Sequence, residues 1–140
     1  MNRLTYLFLF CLLMITTSCT GQVNTVKKKN DMTIPTEQLK NATVKSAVEA
    51  LQSGHIEQWL SLFTNNAELY DDGNKIDFQH FSKNALGHER FTSIDKIENN
   101  GLDLYGKFHS DQWGDFKTYF KFHINAEGKI FRLDIGQASY

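Results

Sequence analysis

The fold of this chain is decided by residues 101–137, which read GLDLYGKFHSDQWGDFKTYFKFHINAEGKIFRLDIGQ. Apolar and polar side chains alternate along 116–124, and this period of two is typical of a strand with one buried face. Similar alternation occurs in 101–109 and in 129–137, and the connections between the three segments are short. Short connections favour neighbouring antiparallel strands, so the stretch is predicted to form a three-stranded meander.

One face of this meander is strongly aromatic and therefore needs cover from the rest of the chain. The central strand places five residues on that face: Phe116, Thr118, Phe120, Phe122 and Ile124. The last strand is predicted to add three more: Phe131, Leu133 and Ile135. Arg132 and Asp134 alternate to the opposite face, where Asp134 is expected to form an ion pair with Arg132 or with a lysine.

The chain before the meander shows the spacing of helix faces and the residues that start and end helices. Thr36 is predicted to cap the first helix, and Asp77 is predicted to cap the third. The three helices are predicted over 37–53, 55–63 and 78–86. Short strands are predicted over 67–70 and 91–97. The fold class is therefore α+β, with three helices covering one face of a curved antiparallel sheet.

Length and composition limit the classes of function. A chain of 140 residues suggests one domain, and a net charge of −1 gives no basic field for nucleic acid. Both cysteines, Cys11 and Cys19, lie in the first 20 residues, which excludes disulfides and thiolate chemistry from the folded part. The five histidines lack metal-ligand spacing, so neither a metal site nor a cofactor is predicted. The run at 71–74, DDGN, lacks the pattern of a calcium loop and is interpreted as a turn.

The N-terminus is interpreted as an address and not as part of the fold. A short basic segment precedes an apolar run over 4–15, which is typical of a signal peptide. The small residues before Cys19 resemble a bacterial lipobox, in which the cysteine is lipidated. Residues 1–18 are thus predicted to be a lipoprotein signal peptide, 19–35 a flexible tether, and 36–140 the domain. The alternative is an ordinary secretory signal. The predicted location is the bacterial cell envelope, with a lipid anchor in a membrane.

The folded part resembles the nuclear transport factor 2-like superfamily and its SnoaL-like branch. The resemblance covers about residues 40–137 and is carried by ALQSG at 50–54, YDDG at 70–73, GKI at 128–130 and a few single positions. The single positions are Trp59, Leu62, Phe63, Ala67 and Leu133. The resemblance implies a cone-shaped domain with a pocket between sheet and helices, often dimeric through the outer sheet face. The superfamily holds isomerases, dehydratases, cyclases, hydrolases and non-catalytic binders, so the resemblance is specific for fold and not for function.

An apolar pocket between the helices and the sheet is the expected binding site. Its predicted ligand-binding residues are aromatic, with Thr118 and Tyr70 as polar groups: Trp59, Phe63, Tyr70, Phe81, Phe116, Thr118 and Phe120. Trp113, in the loop before the long strand, is expected at the rim. The competing interpretation is that the same aromatic residues are simply the hydrophobic core.

Catalytic residues are harder to assign. The resemblance implies that isomerase-like members carry a tyrosine near the start of the first helix, and 37–53 has none. Cyclase- and hydrolase-like members place acids and histidines on the pocket face, for which His80 and Asp134 are the candidates. The catalytic residues therefore stay unknown, because His80 is also typical of an exposed helix histidine and Asp134 is predicted to point outward.

Three classes of function follow. The first is a membrane-tethered domain that binds a small apolar or amphipathic ligand. The second is a SnoaL-like acid/base enzyme acting on a similar molecule. The third is an interaction module that dimerises through outer-face residues, namely Tyr105, Tyr119, Lys121 and His123. An enzyme needs at least two titratable groups that converge in the pocket, whereas a binder needs only the cavity.

Overall fold

The computed structural model describes residues 34–140, which contain three α-helices and six strands. The helices are α1 Ala42–Ser53, α2 Ile56–Ser61 and α3 Phe78–Ala85. The strands are β1 Phe63–Asp71, β2 Asn74–Ile76, β3 Glu89–Glu98, β4 Asp103–Ser110, β5 Gly114–Ile124 and β6 Ile130–Gln137. Two 3₁₀ turns occupy Thr36–Gln38 and Asn99–Gly101. Within the described part of the chain, no helix is long and apolar enough to cross a membrane.

The six strands form one sheet in the order β2-β1-β6-β5-β4-β3. The predicted meander is confirmed, since β4 pairs with β5 and β5 with β6 in antiparallel register. The predicted α+β class is confirmed as well. One pair departs from a purely antiparallel sheet, because β1 lies parallel to β6. Parallel neighbours need a long connection, and here α3 and the four strands β2 to β5 separate the two in sequence.

The sequence predicted the N-cap of α3 correctly but not that of α1. Asp77 caps α3, since its Oδ1 accepts a hydrogen bond from His80 N over 2.6 Å. Thr36 was the wrong cap for the first helix. That role belongs to Asn41, whose Oδ1 accepts from Val44 N over 3.1 Å, and Thr36–Gln38 form a separate 3₁₀ turn. Asparagine is among the strongest N-cap residues, so the local chemistry favours the later start.

Strand β1 is longer than predicted, and β2 was not predicted at all. Asn65 and Asn66 fall between the helix predicted over 55–63 and the strand predicted over 67–70, yet both lie within β1. Strand propensity is weak in this segment, but β1 has hydrogen-bonded neighbours on both sides, β2 and β6. Tertiary pairing therefore overrides local preference here.

The hydrophobic core lies between the helices and the inner face of the sheet. Trp59 is fully buried, and its Nε1 donates a hydrogen bond to Ser82 Oγ over 3.0 Å. Ser82 in turn donates to the Phe78 carbonyl over 2.7 Å. Ile34 is only 4% exposed and belongs to the same core. The packed structure thus begins before the predicted domain start at Thr36, because an apolar side chain of the expected tether finds a buried position.

In β6, the structure differs from the predicted inward face at one residue. Phe131 was expected inside, but it is 44% exposed, and Ile130 is fully buried in its place. The register of β5 and β6 shifts between His123 and Ile124, which reverses the alternation at this end of β6. Leu133 and Ile135 keep their predicted inward orientation.

Candidate functional site

A cleft of about 440 Å³ opens at one end of the domain, between α3 and the inner face of the sheet. Its volume falls within the range of small-molecule sites, about 300–1,000 Å³. Residues from β1, the β1–β2 turn, α3 and β3–β6 line it: Asp71, Asp72, Phe81, Glu89, Phe108, Trp113, Phe116, Thr118, Phe120, Ile135, Gly136 and Gln137. The cleft therefore combines an aromatic wall with an acidic mouth.

Four of the seven predicted ligand-binding residues line this cleft: Phe81, Phe116, Thr118 and Phe120. Phe120 and Thr118 are each 2% exposed and form its floor. The Thr118 hydroxyl donates to the Gly136 carbonyl over 2.8 Å, which leaves its oxygen able to accept a further hydrogen bond. Trp113 is 71% exposed and lies at the edge of the cleft, where the sequence predicted a rim residue.

The other three predicted residues lie elsewhere. Trp59 and Phe63 are core residues, with ring centroids 4.8 Å apart, and neither lines the cleft. Tyr70 lies on the outer face of the sheet, because Leu69 next to it points into the core and successive strand residues alternate. There the Arg132 guanidinium lies 4.1 Å from the centre of the Tyr70 ring. Contrary to the prediction, the Tyr70 hydroxyl is therefore not a polar group of the cleft.

Three carboxylates at the mouth were missed: Asp71, Asp72 and Glu89. The signal for two of them was present as alternation. Asp71 lies two residues after the buried Leu69, and Glu89 two residues before the buried Phe91, so each shares the inner face of its strand. The short strand predicted over 67–70 and the strand predicted over 91–97 stopped just outside both acids.

Glu89 is half-buried, and its surroundings favour the neutral carboxyl. Burial raises the pKa of Glu89, and the nearby charges of Asp71 and Asp111 raise it further. A hydrogen bond from Ser110 Oγ to Glu89 Oε1, over 3.0 Å, and the neighbouring His88 act in the opposite direction without cancelling the effect. A carboxyl group with a raised pKa keeps its proton to a higher pH than an ordinary glutamate does.

Asp71 and Asp72 differ in their surroundings. Partial burial raises the pKa of Asp71, and the adjacent charge of Asp72 adds to the rise. Asp72 is held by the backbone of β6, since its Oδ1 accepts from Gln137 N over 3.1 Å and its own N–H donates to the Ile135 carbonyl over 2.9 Å. The turn that carries both acids is thus fixed to the strand that forms one side of the cleft.

Neither candidate catalytic residue reaches the cleft. His80 is exposed on α3, and its Nε2 lies 2.9 Å from Asn84 Nδ2. Asp134 lies on the outer sheet face, where it accepts hydrogen bonds from Arg132 Nε over 2.9 Å and pairs with His123 Nε2 at 2.6 Å. Burial acts to raise the pKa of Asp134, but these two partners outweigh it and the pKa is lowered. The predicted ion pair of Arg132 and Asp134 is present.

The cleft has acids but no set of metal ligands. No group of three or more histidine, cysteine, aspartate or glutamate side chains within residues 34–140 is arranged to hold a metal ion. Its chemical equipment is an apolar aromatic surface, a hydroxyl on the floor and carboxyl groups at the mouth. Such a site is suited to holding an amphipathic molecule, or to moving a proton to or from it.

Comparison with known proteins identifies the fold of this chain but not its activity. No protein-family model matches the sequence, and no curated protein matches it. Several solved structures are similar. An NTF2-like protein of unknown function from Cytophaga hutchinsonii aligns with TM-score 0.58 at 13% identity, covering 76% of this chain and 92% of that chain. A candidate polyketide cyclase from Sinorhizobium meliloti aligns with TM-score 0.58 at 15% identity, covering 72% and 98%.

A third similar structure is a ligand complex. The Orange Carotenoid Protein of Anabaena (Nostoc) sp. PCC 7120, binding canthaxanthin, aligns with TM-score 0.58 at 18% identity. The alignment covers 71% of this chain but 36% of that chain, so this chain spans well under half of the carotenoid protein's length. The similarity to the NTF2-like structure confirms the nuclear transport factor 2-like fold that the sequence predicts.

Proposed function

We propose that this protein is a ligand-binding domain that holds a small apolar or amphipathic molecule in the cleft. The single observation that carries the proposal is the aromatic wall: five aromatic rings line one cleft of about 440 Å³. Burying such a ring against a ligand is favourable because it removes apolar surface of both from water. The similarity to a carotenoid-binding structure supports the same class of ligand.

The test compares two exposed aromatic residues, one at the cleft and one outside it. Trp113 is 71% exposed at the cleft, and Phe131 is 44% exposed on the other end of β6 and outside the cleft. The neutral apolar dye N-phenyl-1-naphthylamine is titrated into the purified full-length chain, and its fluorescence gives the Kd. Trp113→Ala should weaken binding by about five-fold, the scale of losing one aromatic contact. Phe131→Ala should leave the Kd unchanged. Equal effects of the two variants, or no saturable binding, would refute the proposal.

An acid/base enzyme is the second candidate, and Glu89 is the specific observation that favours it. A half-buried carboxyl group with a raised pKa, next to the apolar wall and near Asp71, is the arrangement that general acid/base catalysis uses. The similarity to a candidate polyketide cyclase is consistent with this class. Small cyclic ketones incubated with the protein in deuterated water would show exchange of their α-protons by NMR. Exchange should disappear in Glu89→Gln and persist in Glu127→Gln, an exposed glutamate outside the cleft.

We also propose that the domain is tethered to a bacterial membrane through a lipid on Cys19. Support comes from the sequence alone, because Cys19 lies outside the described residues. Mass spectrometry of the membrane fraction should find an acylated N-terminal Cys19, and Cys19→Ser should release the protein from that fraction. A mature form that begins elsewhere without acylation would show that the segment is an ordinary secretory signal.

Self-association through the outer sheet face stays a prediction. The residues assigned to this role lie on that face: Tyr105, Tyr119, Lys121 and His123. Lys121 lies opposite Asp134, and His123 lies opposite Arg132. Analytical ultracentrifugation of the full-length chain and of a Tyr119→Asp variant would decide between a monomer and a dimer that uses this face.

A further inference from the structure

We propose that the ligand of the cleft is an organic cation, a small amine or quaternary ammonium compound with an apolar body. This inference rests on the proposed binding function and specifies the chemistry of its ligand. It follows from two independent features of the cleft, the rings of its wall and the charges at its mouth.

The wall of the cleft is built from aromatic rings. Five rings line the cleft: Phe81, Phe108, Trp113, Phe116 and Phe120. Phe108 lies between two of the others, with its ring centroid 5.7 Å from that of Phe116 and 5.4 Å from that of Phe120. Clustered rings of this kind bind quaternary ammonium groups through the negative potential of their faces. An ammonium group that bears methyl or aryl substituents is also apolar enough to replace water in such a site.

The mouth carries negative charge without a compensating positive side chain. Asp71, Asp72 and Glu89 line the cleft, and no lysine, arginine or histidine among residues 34–140 does so. His88, next to Glu89 in the chain, is paired with Asp111, since its Nδ1 lies 3.1 Å from Asp111 Oδ2. An anionic ligand would meet repulsion from the carboxylates of Asp71 and Glu89, whereas a cation would pair with them.

In the free protein, partial burial of the Glu89 and Asp71 carboxyl groups carries a free-energy cost that a bound cation would reduce. A partly desolvated carboxylate is unfavourable unless a charge or hydrogen bonds compensate it, and Ser110 supplies a single hydrogen bond to Glu89. The raised pKa values of Glu89 and Asp71 are the expression of this cost. A bound cation would favour the ionised carboxylates, so its binding should release protons at mildly acidic pH.

The test compares two molecules of nearly the same shape that differ in charge. Phenyltrimethylammonium is a cation, and tert-butylbenzene is its neutral isostere. Each is titrated into the purified full-length chain by displacement of N-phenyl-1-naphthylamine. The cation should bind about ten-fold tighter than the isostere, the ratio expected for a partly desolvated charge over aromatic rings. The double variant Asp71→Asn with Glu89→Gln should lose most of this ratio, while Glu127→Gln should keep it.

A second readout in the wild-type protein does not depend on the variants folding. Calorimetry of phenyltrimethylammonium binding at pH 5, in buffers of different ionisation enthalpy, should reveal proton release. Equal or weaker binding of the cation overturns the inference and leaves the apolar binding site intact. A preference for the cation that survives in the folded double variant, or binding without proton release, overturns the role of the two carboxylates. If neither molecule displaces the dye, the proposed binding function fails together with the inference.

Discussion

The hydroxyl of Ser110 joins the carboxyl group of Glu89 to the loop that carries Trp113. Ser110 Oγ donates to Glu89 Oε1 over 3.0 Å and accepts from the backbone N–H groups of Gln112 and Trp113, each over 3.3 Å. The side chain of Ser110 is 1% exposed, so these contacts are sheltered from water. One buried serine therefore positions both an acid at the mouth of the cleft and the aromatic residue at its edge.

The raised pKa of Glu89 should make the stability of the protein depend on pH. Its folded pKa is raised by burial, so the protonated form is favoured in the folded state. Its contribution to stability is therefore complete below the unfolded pKa, about 4.3, and is lost as the pH rises through the raised folded pKa. Glu89→Gln, which keeps an acceptor for Ser110, should melt higher than wild type at pH 7. The difference should shrink on acidification to pH 3.5. Thermal melts across this range test the sign, and a pH-independent loss of stability would contradict it.

The buried pair of Trp59 and Ser82 should be needed for stability. Ser82→Ala would leave the indole N–H without its partner in a site where Trp59 is fully buried. The free energy of unfolding should fall by about 1–3 kcal/mol, the cost of an unsatisfied buried donor. Urea denaturation measures it. Ser61→Ala is a matched control, since Ser61 is exposed and its hydroxyl donates to the Gln58 carbonyl of its own helix. Equal losses in the two variants would show that the buried hydrogen bond adds little.

Ile34 should contribute to the domain although it precedes the predicted start. Its side chain is 4% exposed, within the core. Ile34→Ala should lower the free energy of unfolding by about 2–4 kcal/mol through lost burial and the cavity that remains. The exposed Lys40 provides the control, and Lys40→Ala should change stability little. Similar stability of Ile34→Ala and wild type in chemical denaturation would return the start of the folded domain to Thr36.

Gly106 should tolerate no side chain. A Cβ at this position would lie 2.0 Å from the Ser93 carbonyl oxygen, in a part of β3 where the pairing with β4 is irregular. Gly106→Ala should destabilise the protein by about 3 kcal/mol, because only a shift of backbone relieves the contact. Gly136→Ala should cost less, since its nearest atoms belong to the side chains of Asp72 and Tyr119. Thermal melts of both variants test the order, and a reversed order would refute it.

Where a pattern is local, the sequence alone determined the structure. The inner face of β5 follows from alternation that any register of neighbours must respect, and Phe116, Thr118 and Phe120 lie where that alternation puts them. The cap of α3 by Asp77 is equally local, since a side chain bonds to a backbone group three residues away. The aromatic half of the cleft was predictable for this reason.

The acidic half was decided by tertiary structure. Asp71 is at the end of β1 and Glu89 at the start of β3, strands that are separated in the sheet by β6, β5 and β4, and both face one cleft. The parallel pairing of β1 with β6 sets where β1 ends, and a register shift in β6 turns Phe131 out and Ile130 in. Alternation within each strand indicates which face an acid shares, but it does not indicate which distant strand end lies nearby. The energy that fixes such pairing comes from contacts that exist only after the chain has folded.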